Sequence, residues 1–139
     1  MTADAHPLTG QGPALVAVAV GGALGALARF GIGVAMPHGR GGFPLATFAI
    51  NVAGCLLIGV VIVVLTEWST GAHPLARPFL TTGILGGFTT FSTFATDADE
   101  LLRLGHLGTA LGYLVGTPVA AVAATWAGIR LTRAVGGRT

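Results

Sequence analysis

Residues 80–100 read LTTGILGGFTTFSTFATDADE, with six threonines and one serine ahead of the first charge, Asp97. Gly83, Gly86 and Gly87 weaken a helix here, because glycine has poor helix propensity and the most backbone freedom to lose. A break inside hydrocarbon frees carbonyl oxygens, and such carbonyls can coordinate a dehydrated cation. The same glycines also serve where two helix backbones approach closely. The hydroxyls of Thr89, Thr90, Ser92 and Thr93 follow at once. Phe88, Phe91 and Phe94 recur every three residues and fall on one slowly drifting helical face. They are packing residues, or their electropositive ring edges favour an anion. Asp97 continues the spacing. With Glu100 it resembles a capping box for a short segment leading to Leu104, and it equally fits the mouth of a pathway.

Other polar groups lie in apolar runs. Asn51 is costly in lipid and should face protein or water, and Thr47 lies one turn before it on the same face, so the two make a polar track. Thr117 adds a hydroxyl farther on, and Pro118 frees a backbone carbonyl near it. Arg29 is the one cation inside a hydrophobic run; it snorkels to the interface or joins the polar set. Amide, hydroxyls and guanidinium together are donor-rich and suit an anion, with the carbonyls of the break as the exception. The chain has no lysine, which excludes P-loop, Schiff-base and lysine-nucleophile chemistry. Its one cysteine, Cys55, reads as an inert buried thiol.

These groups need helices to position them, and the composition says in what solvent. The chain is 53% hydrophobic and 9% charged, with a mean hydropathy of +0.81. Its 139 residues suffice for roughly four bilayer crossings of about 20 residues each. A polar segment over 1–12 has no Arg or Lys, where a secretory signal would open with a basic region, so the first apolar run reads as a retained helix. Apolar runs follow over about 13–36, 45–65, 78–103 and 107–130, and a basic tail over 131–139. The turn HGRGGFP joins the first two, and a polar loop with Trp68 at interfacial depth joins the next pair. The fold expected is a single all-α membrane domain over 13–130, with four spans, the third broken, and both termini on one side. Arg77, Arg130, Arg133 and Arg138 mark that side against Arg40 and Arg103, plus Arg29 if it snorkels, a bias too weak to set orientation. Scattered arginines make no nucleic-acid footprint. Gly21/Gly25 and Gly112/Gly116 are spaced for close helix packing inside the bundle. Four short helices enclose little interior, so an oligomer is a natural way to build a pathway.

The strings GGALGALARF, ATFAINVAGCLLIG and above all GILGGFTTFSTF resemble the Fluc (CrcB) fluoride channels, a likeness running from about 18 to 130. The resemblance implies a dual-topology homodimer: two identical subunits inserted antiparallel in a bacterial cell membrane, with two fluoride pores along their interface. It implies a structural sodium ion (Na+) where the two broken third spans cross, held by the carbonyls of Gly86 and Thr89. Phe91 and Phe94 would present ring edges to each pore, and Asn51 would be the pore-associated asparagine. Thr47, Ser92, Thr93 and Thr117 would supply hydroxyls along the ion track, with Arg29 and Asp97 in structural or vestibule positions. Asp97 stands where the family commonly has a glutamate, and Ala121 where a further serine is common, which shortens the hydroxyl track. The activity implied is passive fluoride export, with no catalytic residue. Fluoride is small and strongly hydrated, so closely placed donors must replace its water.

Two other classes fit the coarse facts. A small four-span drug exporter would couple to protons through a carboxylate in the first span, but residues 13–36 contain no Asp or Glu. A membrane subunit without transport would use the same polar residues only to join helices.

Overall fold

The computed structural model describes residues 10–69 and 71–137, so most of the 1–12 segment and Arg138 lie outside the described residues. Helix α1 spans Gly12–Ala35 and α2 spans Leu45–Val63, the latter continued by a π turn over Val64–Trp68. Helix α3 opens as a π-helix over Pro78–Leu85 and closes with one α turn, Gly86–Phe88. Helices α4, Phe91–Arg103, and α5, Leu107–Gly136, complete the chain, and no strand occurs among the described residues. The Thr66 hydroxyl donates to Ile62 O and the Thr81 hydroxyl to Arg77 O, both at 2.7 Å. A side chain bonding four residues back competes for the helical ladder, and one does so at each π segment.

Helix α1, α2 with its π turn, and α5 are each long and apolar enough to cross a membrane. The expected third span is divided, as its expected break requires. Its second piece, α4, has 13 residues, and neither piece reaches the roughly 20 that a crossing needs. Helix α5 runs six residues past the expected end at 130 and takes in Arg133. Two contacts hold that extension. Arg133 forks onto Glu67, with Nη2 donating to Oε1 at 2.6 Å and Nε at 2.9 Å, and Gly136 lies against the ring of Trp68. Pro118 sits inside α5 without ending it.

Glycines set the pairing. A Cβ on Gly21 would come within 2.6 Å of Phe79 O, one on Gly25 would strike Ile84 O, and one on Gly87 would strike Gly22 O. Helices α1 and α3 therefore run side by side in the same direction at backbone contact. Gly59 and Gly128 do the same for α2 and α5, against Thr125 O and Leu56 O. Small residues are what permit such approach in lipid, where packing drives association. Of the two small-residue pairs expected to pack inside the bundle, Gly21/Gly25 does. Around Gly112 and Gly116 there is open space.

Helix α4 links the pairs. Gly105, at φ +79°, ends it in the left-handed conformation that glycine takes without a Cβ penalty. His106 N donates to Leu101 O at 2.9 Å and Gly105 N to Leu102 O at 3.0 Å, the Schellman pattern of helix ends. The chain thus turns at once into α5, and Ala98, Leu101, Ala110 and Tyr113 close into a small core with Phe94. Outward faces stay apolar: Leu27, Phe30, Val119 and Val122 are exposed, as suits a lipid-facing surface.

Gly25→Leu drives a side chain into the backbone of α3, an overpacking cost of about 1–3 kcal/mol or more. Detergent-solubilised protein should lose monodispersity and melt lower, while Gly31→Leu, which meets open space, should leave both unchanged. Size-exclusion profiles and thermal melts of the two variants check this.

Candidate functional site

The break between α3 and α4 falls at Thr89 and Thr90, both extended, at φ −76°/ψ 156° and φ −147°/ψ 119°. It was expected within the glycines at 83–87. Those residues remain helical because Gly83 and Gly87 are committed to contact with α1, as one of the two roles considered for them requires. Gly86 is different: a Cβ there would meet only Thr81 O, at 3.8 Å, so it is open toward a cavity.

An interrupted helix exposes peptide groups that hydrocarbon cannot satisfy. The side chain of Asn51 answers at Thr90. Its Nδ2 donates to Thr90 O at 3.0 Å and its Oδ1 accepts from Thr90 N at 2.9 Å, so one amide replaces two backbone partners. Arg29 does not snorkel; its Nε donates to Gly87 O at 3.1 Å, at the carbonyl end of α3, where a cation is favoured by the helix dipole. Leu85 O accepts from both the amide and the hydroxyl of Thr89, at 3.0 and 2.9 Å. Thr90 is the N-cap of α4: its Oγ1 accepts from Thr93 N at 3.1 Å and donates to Thr93 Oγ1 at 2.9 Å, with Ser92 Oγ at 3.3 Å. No hydrogen bond ends on the carbonyl oxygens of Gly86 or Thr89 among the described residues.

Two cavities flank the break, and Thr90 lines both. The larger, about 430 Å³, is bordered by Asn51, Gly86, Thr89, Phe91, Phe94 and Thr117. The smaller, about 250 Å³, is bordered by Arg29, Thr47, Ile50 and Thr93. The expected track of Thr47 and Asn51 is thus split between them, since the break lies between the two side chains. The three phenylalanines do not share a helix either: Phe88 ends α3, and only Phe91 and Phe94 belong to α4. Phe91 is 81% exposed, whereas Phe94 is 8% exposed. Thr117 is buried at 4% exposure, and its Oγ1 finds no partner. Ala121 borders the same cavity beside it. Ser92 is exposed and borders neither.

Asp97 is not a cap, because it lies inside α4, whose N-cap is Thr90. Its Oδ2 accepts from the hydroxyl of Tyr113 at 3.2 Å. Tyr113 is a site residue that the sequence reading does not include, and Thr90, one of the hydroxyls after the glycines, is the residue at which the helix breaks. Tyr113 had a signal, since it stands one turn before Thr117 on the same face of α5.

The family model described as "CrcB-like protein, Camphor Resistance (CrcB)" matches residues 16–129. The chain is similar to a protein of Streptomyces coelicolor named fluoride-specific ion channel FluC 1, at 51% identity over 84% of this chain and 75% of that one. It is 47% identical to the fluoride-specific ion channel FluC of Paracoccus denitrificans, over 84% of this chain and 91% of that one. With the protein of the same name from Chloroflexus aurantiacus it shares 42% identity over 88% of this chain and 98% of that one. A helix broken at GGFTTFSTF, braced by an asparagine and an arginine from two other membrane helices, thus sits in a chain whose match is nearly end to end, and the protein belongs to the CrcB-like family.

Proposed function

We propose that this protein is a fluoride-selective channel that lets fluoride leave the cell passively across a bacterial membrane. The observation that carries the reading is its extensive likeness to relatives named as fluoride-specific ion channels. The site is consistent in chemistry. Amide and hydroxyl groups border the larger cavity, guanidinium and hydroxyl groups the smaller, and the amide end of α4 between them favours negative charge. HF entering from acid surroundings releases fluoride inside, and an open path returns it without energy input. The reading requires no catalytic residue. A proton-coupled exporter is disfavoured because α1 holds no carboxylate.

In this reading residues 78–103 form a fourth span, broken at its middle, and two copies insert antiparallel. Arg77, Arg130 and Arg133 against Arg40 and Arg103 leave orientation nearly balanced among the described residues, and Arg29 is held inward by Gly87 O. The face left open in one copy, with Phe91 bare beside the larger cavity, is the face a second copy covers. Phe91, Phe94, Asn51, Thr117, Thr47, Ser92 and Thr93 border the fluoride path, with Arg29 and Asp97 supporting its ends. Gly86 and Thr89 fit a sodium ion: neutral carbonyl oxygens without hydrogen bonds, at the negative end of a half-helix. Bound there, sodium supplies fixed positive charge, and these backbone atoms from both copies hold it.

Purified protein in liposomes should release fluoride without a proton gradient. Phe91→Ile or Phe94→Ile keeps apolar bulk but removes the electropositive ring edge, so flux should fall about tenfold per ring, roughly 1.4 kcal/mol of barrier. Unchanged flux in both variants returns the rings to packing. A cysteine placed at Gly137 in a Cys55→Ala background should react with impermeant reagent from both faces of the membrane; reaction from one face only rules out dual topology. Exchanging sodium for a bulky organic cation should lower dimer stability or flux. A flux that followed the sodium gradient in fixed stoichiometry would make sodium a coupling ion and the protein a symporter.

A further inference from the structure

Five aromatic rings form an unbroken row from the start of α2, through the turn before it, to the break. Phe48 and Phe43 stand 5.5 Å apart at 66°, and Phe43 meets Tyr113 at 5.4 Å and 88°. Tyr113 lies 5.0 Å from Phe94 at 43°, and Phe94 lies 5.7 Å from Phe91 at 43°. Tyr113, at the centre, is fully buried and has its hydroxyl engaged by Asp97. Its ring is clamped between Phe94, which borders the larger cavity, and Phe43, which borders neither.

Phe43 is 40% exposed, but the turn that carries it is anchored. Pro44 is fully buried, Leu45 N donates to Phe43 O at 2.8 Å, and Gly41, at φ +77°, sits directly against the imidazole of His106 at the start of α5. The turn carrying Phe43 is therefore seated on the helix that carries Tyr113. A near-perpendicular ring pair holds both rings against rotation, because edge and face carry opposite partial charge.

From this row we infer that Phe43 is a positioning residue for the anion path, acting through Tyr113 to set the orientation of the Phe94 ring. The inference rests on the channel reading above. It assigns to a turn outside the pore a share in how sharply the pore distinguishes fluoride from larger anions.

The test combines flux with a signal independent of flux. Phe43→Leu should lower fluoride efflux at least about threefold and narrow the fluoride-over-chloride preference, and Phe43→Tyr, which keeps the ring pair, should restore both. In a Phe94→Ile background Phe43→Leu should add little, because its target ring is already gone. Tyr113 is the only tyrosine of the chain, so 3-fluorotyrosine labelling gives one fluorine resonance, and Phe43→Leu should shift or broaden it. If Phe43→Leu elutes as aggregate, Phe43→Met takes its place. Equal loss in both backgrounds, unchanged flux and selectivity, or an unmoved resonance overturns the inference. Absent fluoride efflux from the unmodified protein counts instead against the channel, and the resonance then decides the clamp alone.

Discussion

In hydrocarbon a peptide group cannot turn to water, so an interrupted helix is tolerated only where something else bonds its exposed backbone. Here that something is one side chain. Asn51 gives Thr90 both the donor and the acceptor that its extended conformation took from it, at 3.0 and 2.9 Å. Leaving a single buried group unbonded costs roughly 1–3 kcal/mol, so the bidentate amide decides whether the break can exist where it does. Arg29 at Gly87 O and the Thr90 cap complete the bracing from either side.

The rest of the bundle delivers those groups. Glycine contacts bring α1 and α3 to backbone distance, which fixes the depth at which Arg29 meets the end of α3. A second glycine pair joins α2 to α5, the two helices that carry Thr47, Asn51, Tyr113 and Thr117. Because side chains so small leave no slack, these helices cannot slide without breaking the polar geometry between them. The break then sets two partial charges against each other: the carbonyl end of α3 and the amide end of α4. A cation suits the first and an anion the second, and the sequence had shown acceptors for the one and donors for the other without showing how they divide.

Much of this was legible in the residues. Apolar runs bounded by Gly, Pro and charge marked α1, α2 and the start of α5 to within a few residues, because crossing a membrane demands an unmistakable length of hydrophobic chain. The exception at α5, which runs on to Gly136, depends on Glu67 and Trp68, residues far off in sequence. The motif from Gly83 to Phe94, with Asn51 and Arg29, also stood out, since polar groups in an apolar run demand a reason.

What sequence determined by itself was the solvent, the helical spans, the presence of a broken polar segment and the identity of the groups that attend it. Only the tertiary structure decided where the break falls and which groups share a cavity. Glycine's weak propensity pointed to 83–87, but packing against α1 restored the helix there, and the break moved to the threonines that Asn51 could satisfy. In the same way Thr47 and Asn51, neighbours on one helical face, were parted by the backbone that passes between them, and Tyr113 was drawn in from another helix. Local spacing states which side chains share a face. Which of them meet is settled by the partner backbone, through hydrogen bonds and close contacts whose partners lie dozens of residues away.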